Sequence, residues 1–254
     1  MAHLYYVDGL PAERFEPGSY LDVRGEEGRH AVRVSRLRPG ERIGVGNGSG
    51  SIGFGEVTGI GRDEFTVRLE QVEHRALPDQ SIVLVQALAK GDRDERAVEQ
   101  CTEFGVDAIV PWQAERSVSR WGHAQEEKAK KGVAKWTRVA REASKQAMRA
   151  HVPDVRTPVS TGQLCRLAAS PTVSVLVLHP DGGRRLTEWV ADDAARSSAE
   201  IYVVIGPEGG LDPSEVAALS EAGADVLLIG ETVLRTSSAG PAAVALLNSG
   251  LGRW

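Results

Sequence analysis

From residue 81 onward, apolar runs of strand length alternate with amphipathic helical segments, and no other feature of the chain restricts its fold as strongly. The runs are SIVLVQAL (81–88), DAIVPW (107–112), TVSVLVLH (172–179), AEIYVVIG (199–206) and ADVLLIG (224–230). Their apolar residues are nearly continuous rather than alternating, as in strands buried on both faces. Helices are expected between and after them, near 92–104, 123–149, 184–195, 213–222 and 237–249. Asp212-Pro213 gives one of these an N-cap followed by proline at the first helical position. Such alternation implies an α/β domain with a parallel sheet covered on both sides. Residues 1–75 read differently. Short β-rich runs at 4–7, 19–23, 41–46, 54–60 and 64–72 are separated by turn chemistry, with one helix expected at 29–37. The expectation is a small barrel over 1–75, a linker at 76–81, and the α/β domain extending to 254.

Composition narrows the function classes. With 41% hydrophobic and 26% charged residues in 254, the chain has ample material for a core and is not disordered throughout. Cys101 and Cys165, its only cysteines, lie far apart, which argues against a zinc ribbon or disulfide framework and for a reducing compartment. The six histidines lack metal-ligand spacing, so no metal is expected. His179 and Cys101 read as structural residues. No apolar run approaches the ~20 residues of a membrane span, and the first residues lack signal-peptide architecture, so the expected location is cytoplasmic. Neither a hydrolase nucleophile elbow nor a P-loop occurs. Gly44, Gly46 and Gly48 form a GxGxG string, but a strand-like segment follows where a dinucleotide loop requires a helix. They read as a glycine-rich hairpin.

The net charge of −5 is unevenly spread. Residues 116–149 carry ten Lys/Arg against three acids, whereas residues 184–231 carry three Arg against ten acids. Within 126–149, apolar residues at Ala129, Val133, Trp136, Ala140, Ala143 and Ala147 describe one face of a long helix. Lys131, Lys135, Arg138, Lys145 and Arg149 form a second stripe roughly opposite. The stripe is either a solvated face or a local anion-binding face; near-absence of acids along it leaves the second reading open.

Two loops concentrate further signal. IGPEGGLDPSE (205–215) follows a buried-type strand and precedes a capped helix, and it holds more glycine than a plain connection needs. In open α/β sheets, ligands bind beyond the carboxyl ends of strands. LLIGETVLRTSSAGPAAVALLN (227–248) repeats the arrangement, with Thr236, Ser237 and Ser238 as candidate caps. Arg235, just before them, is either a ligand contact or a surface residue paired with Glu231.

IGPEGG together with LxxGxxxLRTSSA (227–239) resembles the cofactor signature of the SPOUT methyltransferases. HAVRVSRLRPGE (30–41), QALAKGDRDE (86–95), EQCTEFGVDAIVPWQAERS (99–117) and KWTRVAREASKQAMRAHVP (135–153) narrow the resemblance to the bacterial family that methylates N3 of a uridine in 16S ribosomal RNA. It covers nearly the whole chain, although Ser237-Ser238 stands where that family often has an acid. The resemblance implies an N-terminal PUA-like, RNA-binding β-barrel and a C-terminal domain with a trefoil knot. It further implies S-adenosyl-L-methionine as methyl donor, a homodimer, and 16S rRNA or the small ribosomal subunit as partner. Carried over by motif position, the cofactor would be held by Leu178, Ile205, Gly206, Gly210, Leu228, Gly230, Val233, Leu234 and Thr236.

For the chemistry that the resemblance implies, uracil N3 must lose a proton. The resulting anion spreads onto O2 and O4, where a guanidinium fork fits, so Arg235 is the first catalytic candidate. Glu208 is the weaker candidate, as base. RNA would be held by the 131–149 stripe and by Arg33, Arg36 and Arg38, with Arg33 and Arg36 expected on one helical face. Two alternatives share part of this pattern: a SPOUT enzyme acting on tRNA or on a ribose 2′-hydroxyl, and a non-catalytic RNA-binding assembly protein. The cofactor loops cannot separate the first of these; intact loops argue against the second.

Overall fold

In a computed structural model of the chain, residues 3–121, 126–192, 195 and 197–254 are described. The chain divides into two units. One comprises residues up to Leu77 together with Ser144–Val152; the other comprises Pro78–Ala143 and Pro153–Trp254.

In the first unit, β1 (Leu4–Tyr6), β2 (Tyr20–Val23), β3 (Arg42–Gly46), β4 (Ser51–Ile60) and β5 (Phe65–His74) form one sheet in the order β1-β3-β4-β5-β2. Only β1 and β3 run parallel. Tyr5, Phe15, Leu21, Ile43, Val57, Phe65 and Leu69 fill the core. The GxGxG string lies in the β3–β4 hairpin. There Asn47 Oδ1 accepts the N–H groups of Ser49 (2.9 Å) and Ser51 (3.0 Å), a side-chain-stabilised turn with no helix after it. Helix α1 spans Gly25–Arg33 rather than 29–37. It stops because Arg36 adopts a positive φ of 54° and the Leu37 N–H returns to the Ala31 carbonyl (3.0 Å), burying Leu37 beneath the last turn. Arg33 and Arg36 therefore do not share a helical face.

The second unit is a seven-stranded, wholly parallel sheet. Its strands are β6 (Ser81–Ala87), β7 (Ala108–Trp112), β8 (Asp154–Val155), β9 (Val173–Leu178), β10 (Arg184–Arg185), β11 (Glu200–Ile205) and β12 (Asp225–Leu228), in the order β10-β12-β9-β11-β6-β7-β8. The continuous apolar runs divide by alternation. Ile82, Leu84, Ile201 and Val203 pack on one face against Val98, Trp136, Trp189 and Val244 of the helices. Val83, Val85, Tyr202 and Val204 pack on the other against Leu164 and Leu219.

Helices α2 (Arg93–Glu103), α3 (Glu126–Gln146), α4 (Thr161–Ala168), α5 (Leu186–Val190), α6 (Pro213–Glu221) and α7 (Thr236–Gly250) complete the chain. Four differ from the sequence reading. The expected first residues of α3, 123–125, lie outside the described residues; at its other end Met148 takes a positive φ of 52°, so Ala147 and Arg149 leave the helix. Helix α4 was not expected, yet Ser160 and Gln163 form a capping box at its start, a signal present in the sequence. Of the helix expected at 184–195, the described residues form β10 and the short α5, and residues 193–194 lie outside the described residues. Helix α7 begins at Thr236, with Arg235 as its N-cap and no side-chain cap.

Candidate active site

Parallel strands present their carboxyl ends on one side of the sheet, and four neighbours end together here: β12 at Leu228, β9 at Leu178, β11 at Ile205 and β6 at Ala87. The loops leaving β9, β11 and β12 surround a cavity of about 640 Å³. From the first come Leu178 and His179, from the second Ile205, Gly206, Glu208, Gly210 and Leu211, and from the third Leu228, Gly230, Val233, Leu234, Arg235 and Thr236. All nine expected cofactor residues and both catalytic candidates thus line one space.

A hydrogen-bond chain joins the loops underneath. The Thr236 hydroxyl, instead of capping α7, donates to the Gly206 carbonyl (2.7 Å) and accepts from Gln86 Nε2 (2.9 Å). Gln86 is fully buried in β6, and its Nε2 also donates to the Ala87 carbonyl (3.1 Å). A Cβ on Gly230 would meet no atom within 4 Å, so this stretch of wall is bare backbone beside open space. Gly210 has φ +72°, which favours glycine.

Charged groups gather on the 208–212 turn. Glu208 Oε1 accepts the Lys90 N–H (3.0 Å) and lies 3.6 Å from Arg93 Nη1. Asp212 caps α6, accepting the Ser214 N–H (3.0 Å) and hydroxyl (2.7 Å), and lies 3.3 Å from Arg116. Hydrogen bonding from Ser214, with the Arg116 charge adding to it, holds the Asp212 carboxyl below its ordinary range. Arg116 Nη1 also reaches the Gly209 carbonyl (3.4 Å). Asp94 accepts the Ala89 (3.1 Å) and Glu95 (2.9 Å) N–H groups, fixing the turn that carries Lys90 and Arg93; burial pushes its carboxyl up. Arg235 is exposed, and the alternative partner Glu231 instead lies 3.9 Å from Arg185.

Arg93, Arg116 and Gln86 were not assigned from the sequence. The signal was present in QALAKGDRDE and QAERS, which matched as strings while carrying no chemistry of their own.

The expected RNA-binding residues fare unequally. Arg36, Arg38, Lys131 and Arg138 are exposed. Arg33 is exposed and paired with Asp63 (Nη2–Oδ2 2.9 Å), and Lys135 with Glu95 (2.6 Å). Lys145 does not belong to an open stripe: its side chain is only 14% exposed and is bound to Glu27 at 3.3 Å. Arg149 lies past the end of α3, and its carbonyl accepts the Tyr6 hydroxyl (2.6 Å). Among the described residues, no acid, His or Cys cluster is suited to a metal, and no helix is long and apolar enough to cross a membrane.

Comparison with known proteins bears on both units. The RNA methyltransferase domain profile matches residues 76–248, and the RNA methyltransferase PUA domain profile matches 23–70. A protein named Ribosomal RNA small subunit methyltransferase E from Mycobacterium tuberculosis is 38% identical over 100% of this chain and 94% of its own length. Its namesake from Bacillus subtilis is 31% identical over 92% and 91%. Among solved structures, a Legionella pneumophila methyltransferase in complex with bound cofactor SAM superposes with a TM-score of 0.82 at 27% identity, covering 98% of each chain. Ribosomal RNA small subunit methyltransferase E from Neisseria gonorrhoeae, bound to S-adenosyl methionine, gives 0.81 at 25%, again covering 98% of each.

Proposed function

The chain belongs to the RNA methyltransferase family with an attached PUA domain, and from that premise we propose that it methylates N3 of a uridine in 16S ribosomal RNA, using S-adenosylmethionine. The observation that carries the reading is the meeting of the 205–211 and 228–236 loops in one cavity at the strand ends. The cofactor supplies a methyl group already activated on a sulfonium, so the protein's main task is to position the acceptor.

The lining fits such a ligand. Leu178, Leu228 and Leu234 offer apolar walls to an adenine, and Gly230 leaves open the space a side chain would take. Ile205, Gly206, Gly210, Val233 and Thr236 complete the cofactor set. Arg235, exposed at the cavity and without an ion pair among the described residues, stabilises the uracil anion through O2 and O4. Glu208 remains the weaker candidate for base: its Oε1 is already committed to Lys90 and Arg93.

RNA is held by Arg36 and Arg38, by Lys131, Lys135 and Arg138, and by Arg33 once it exchanges Asp63 for a phosphate. The working form is a homodimer, which would cover rim residues such as Val233, 79% exposed in the single chain. Its place is the cytoplasm, with the ribosome.

Mass spectrometry of rRNA nucleosides, with and without the gene, tests the reading. Loss of N3-methyluridine from one 16S site is expected; an unchanged nucleoside profile defeats it. Arg235→Ala should keep cofactor affinity in calorimetry and lose methyl transfer.

A further inference from the structure

The cavity holds more positive charge than its cofactor can use. Among its lining residues Arg93, Arg116 and Arg235 are permanent cations, and Glu208 is the only carboxylate. S-adenosylmethionine, with a sulfonium, an ammonium and a carboxylate, is itself a net cation. Glu208 and Asp212 offset two of the three guanidinium charges, so one net positive charge remains to oppose the donor, and the N–H donors that these pairs leave over suit a second, anionic ligand.

Two of the three arginines share one turn. Arg93 begins α2 and lies beside Glu208 at 3.6 Å; Arg116, from the loop after β7, lies beside Asp212 at 3.3 Å and the Gly209 carbonyl at 3.4 Å. The 208–212 turn is thus flanked by a guanidinium on either side. Neither cation is enclosed: the side chains of Arg93 and Arg116 are 50% and 45% exposed. A guanidinium has five N–H donors, more than these tethers use, and the remainder match phosphate oxygens.

We propose that Arg93 and Arg116 form a phosphate-binding edge at the mouth of the cavity, gripping the RNA backbone beside the target nucleotide as its base enters. This rests on the methyltransferase reading above. It adds the residues that hold the substrate strand at the site itself, distinct from Arg235 and from the expected basic stripe. A base taken out of its stack must be held by its flanking backbone, and arginines at the entrance supply that hold.

The competing role is a brace, in which both arginines only stiffen the 208–212 turn. Asp212→Asn separates the two, because asparagine caps a helix as well as aspartate does while removing the charge beside Arg116. The probes are S-adenosylmethionine in calorimetry and, for RNA, a fluorescent oligouridylate and unmethylated small ribosomal subunits.

Arg93→Gln and Arg116→Gln should each keep cofactor affinity within about twofold and weaken RNA binding about tenfold. Each should also flatten the plot of log affinity against log salt by about 0.7, the loss of one single-strand phosphate contact. Arg116→Lys should recover most of that slope but not all of the affinity, and Asp212→Asn should keep both.

Unchanged RNA affinity and slope in both glutamine variants would overturn the proposal. So would equal losses of cofactor affinity in Arg116→Gln and Asp212→Asn, the signature of a brace. A wild-type protein that binds the cofactor yet methylates no ribosomal RNA fails at the premise, and the proposal falls with it. Methylation by wild type with wild-type slopes in the variants sinks the proposal alone.

Discussion

At the scale of single residues, Thr236 is the most constrained group in the site. Its hydroxyl satisfies the Gly206 carbonyl and the Gln86 amide at once, so it links the β11 loop, the β12 loop and the end of β6. Thr236→Val keeps the shape, deprives the Gly206 carbonyl of this hydroxyl and leaves Gln86 Nε2 with the Ala87 carbonyl alone. It should cost about 1–3 kcal/mol in urea unfolding and weaken cofactor binding, whereas Thr236→Ser should stay near wild type in both. Gly230 permits a test of the cavity that Gly210 does not. A valine at Gly210 is strained by φ +72° wherever it points, so lost binding there would conflate loop distortion with filling. Gly230→Val adds its side chain where a Cβ meets nothing within 4 Å. Thermal unfolding should be unchanged while calorimetry shows cofactor affinity reduced at least tenfold; full affinity would remove the 228–236 loop from the cofactor site. The glycine and proline strings made these loops legible from sequence, because their backbone demands are local. Gln86, Arg93 and Arg116 were not legible. What they touch depends on which strands end side by side.

At the scale of elements, α6 shows local chemistry predicting structure closely. Asp212-Pro213 reads as a start signal, and Asp212 does cap the helix through Ser214. Those hydrogen bonds, then the nearby Arg116, hold its folded carboxyl below the ordinary 3.8. Between the lowered and ordinary values the unfolded chain binds more protons than the folded one, so stability rises with pH there. The contribution is complete above the ordinary value and disappears as pH falls through the lowered one. Asp212→Asn should therefore flatten the acid limb of the stability–pH profile, measured by denaturant midpoint, by lowering the neutral midpoint slightly while the most acidic midpoints stay nearly unchanged. Helices α1 and α3 show the limit of periodicity. In each the apolar or basic pattern continues past the end of the helix, and a positive φ at Arg36 or Met148, not a break in pattern, marks the stop. The same misreading extended the basic stripe to Arg149, past the end of α3, while Lys145, still within the helix, is taken up by Glu27. Where periodicity and burial agree, as at Trp136, the element is secure. Trp136 is 1% exposed and stacks edge-on against Trp121 at 5.3 Å; Trp136→Ala should cost about 3–5 kcal/mol in chemical denaturation.

At the scale of the whole molecule, strand–helix alternation specifies the layers and leaves the strand order open, since any parallel array gives the same pattern. The order β12-β9-β11-β6 is what brings the two glycine-bearing loops together above Gln86. The composition of the first unit was equally hidden. Its sheet ends at His74, yet Ser144–Val152, far along the chain, belongs to it. Ala150 completes a small core with Leu4, Tyr6 and Ile52, against which Met148 and Val152 pack, and the Tyr6 hydroxyl bonds the Arg149 carbonyl at 2.6 Å. No pattern within 1–75 announces a missing piece; buried strand residues look alike whatever covers them. A fragment ending at residue 77 would therefore uncover Leu4, Tyr6 and Ile52, each 4% exposed or less in the full chain. Partial exposure of three such side chains costs on the order of 5 kcal/mol, as much as the whole stability of many domains this small. That fragment should unfold without a cooperative transition in circular dichroism and lose protection against proteolysis. Joining 144–152 to its end through a flexible linker should restore both. A cooperative, protected fragment without the addition would show that the five strands stand without their distant cover.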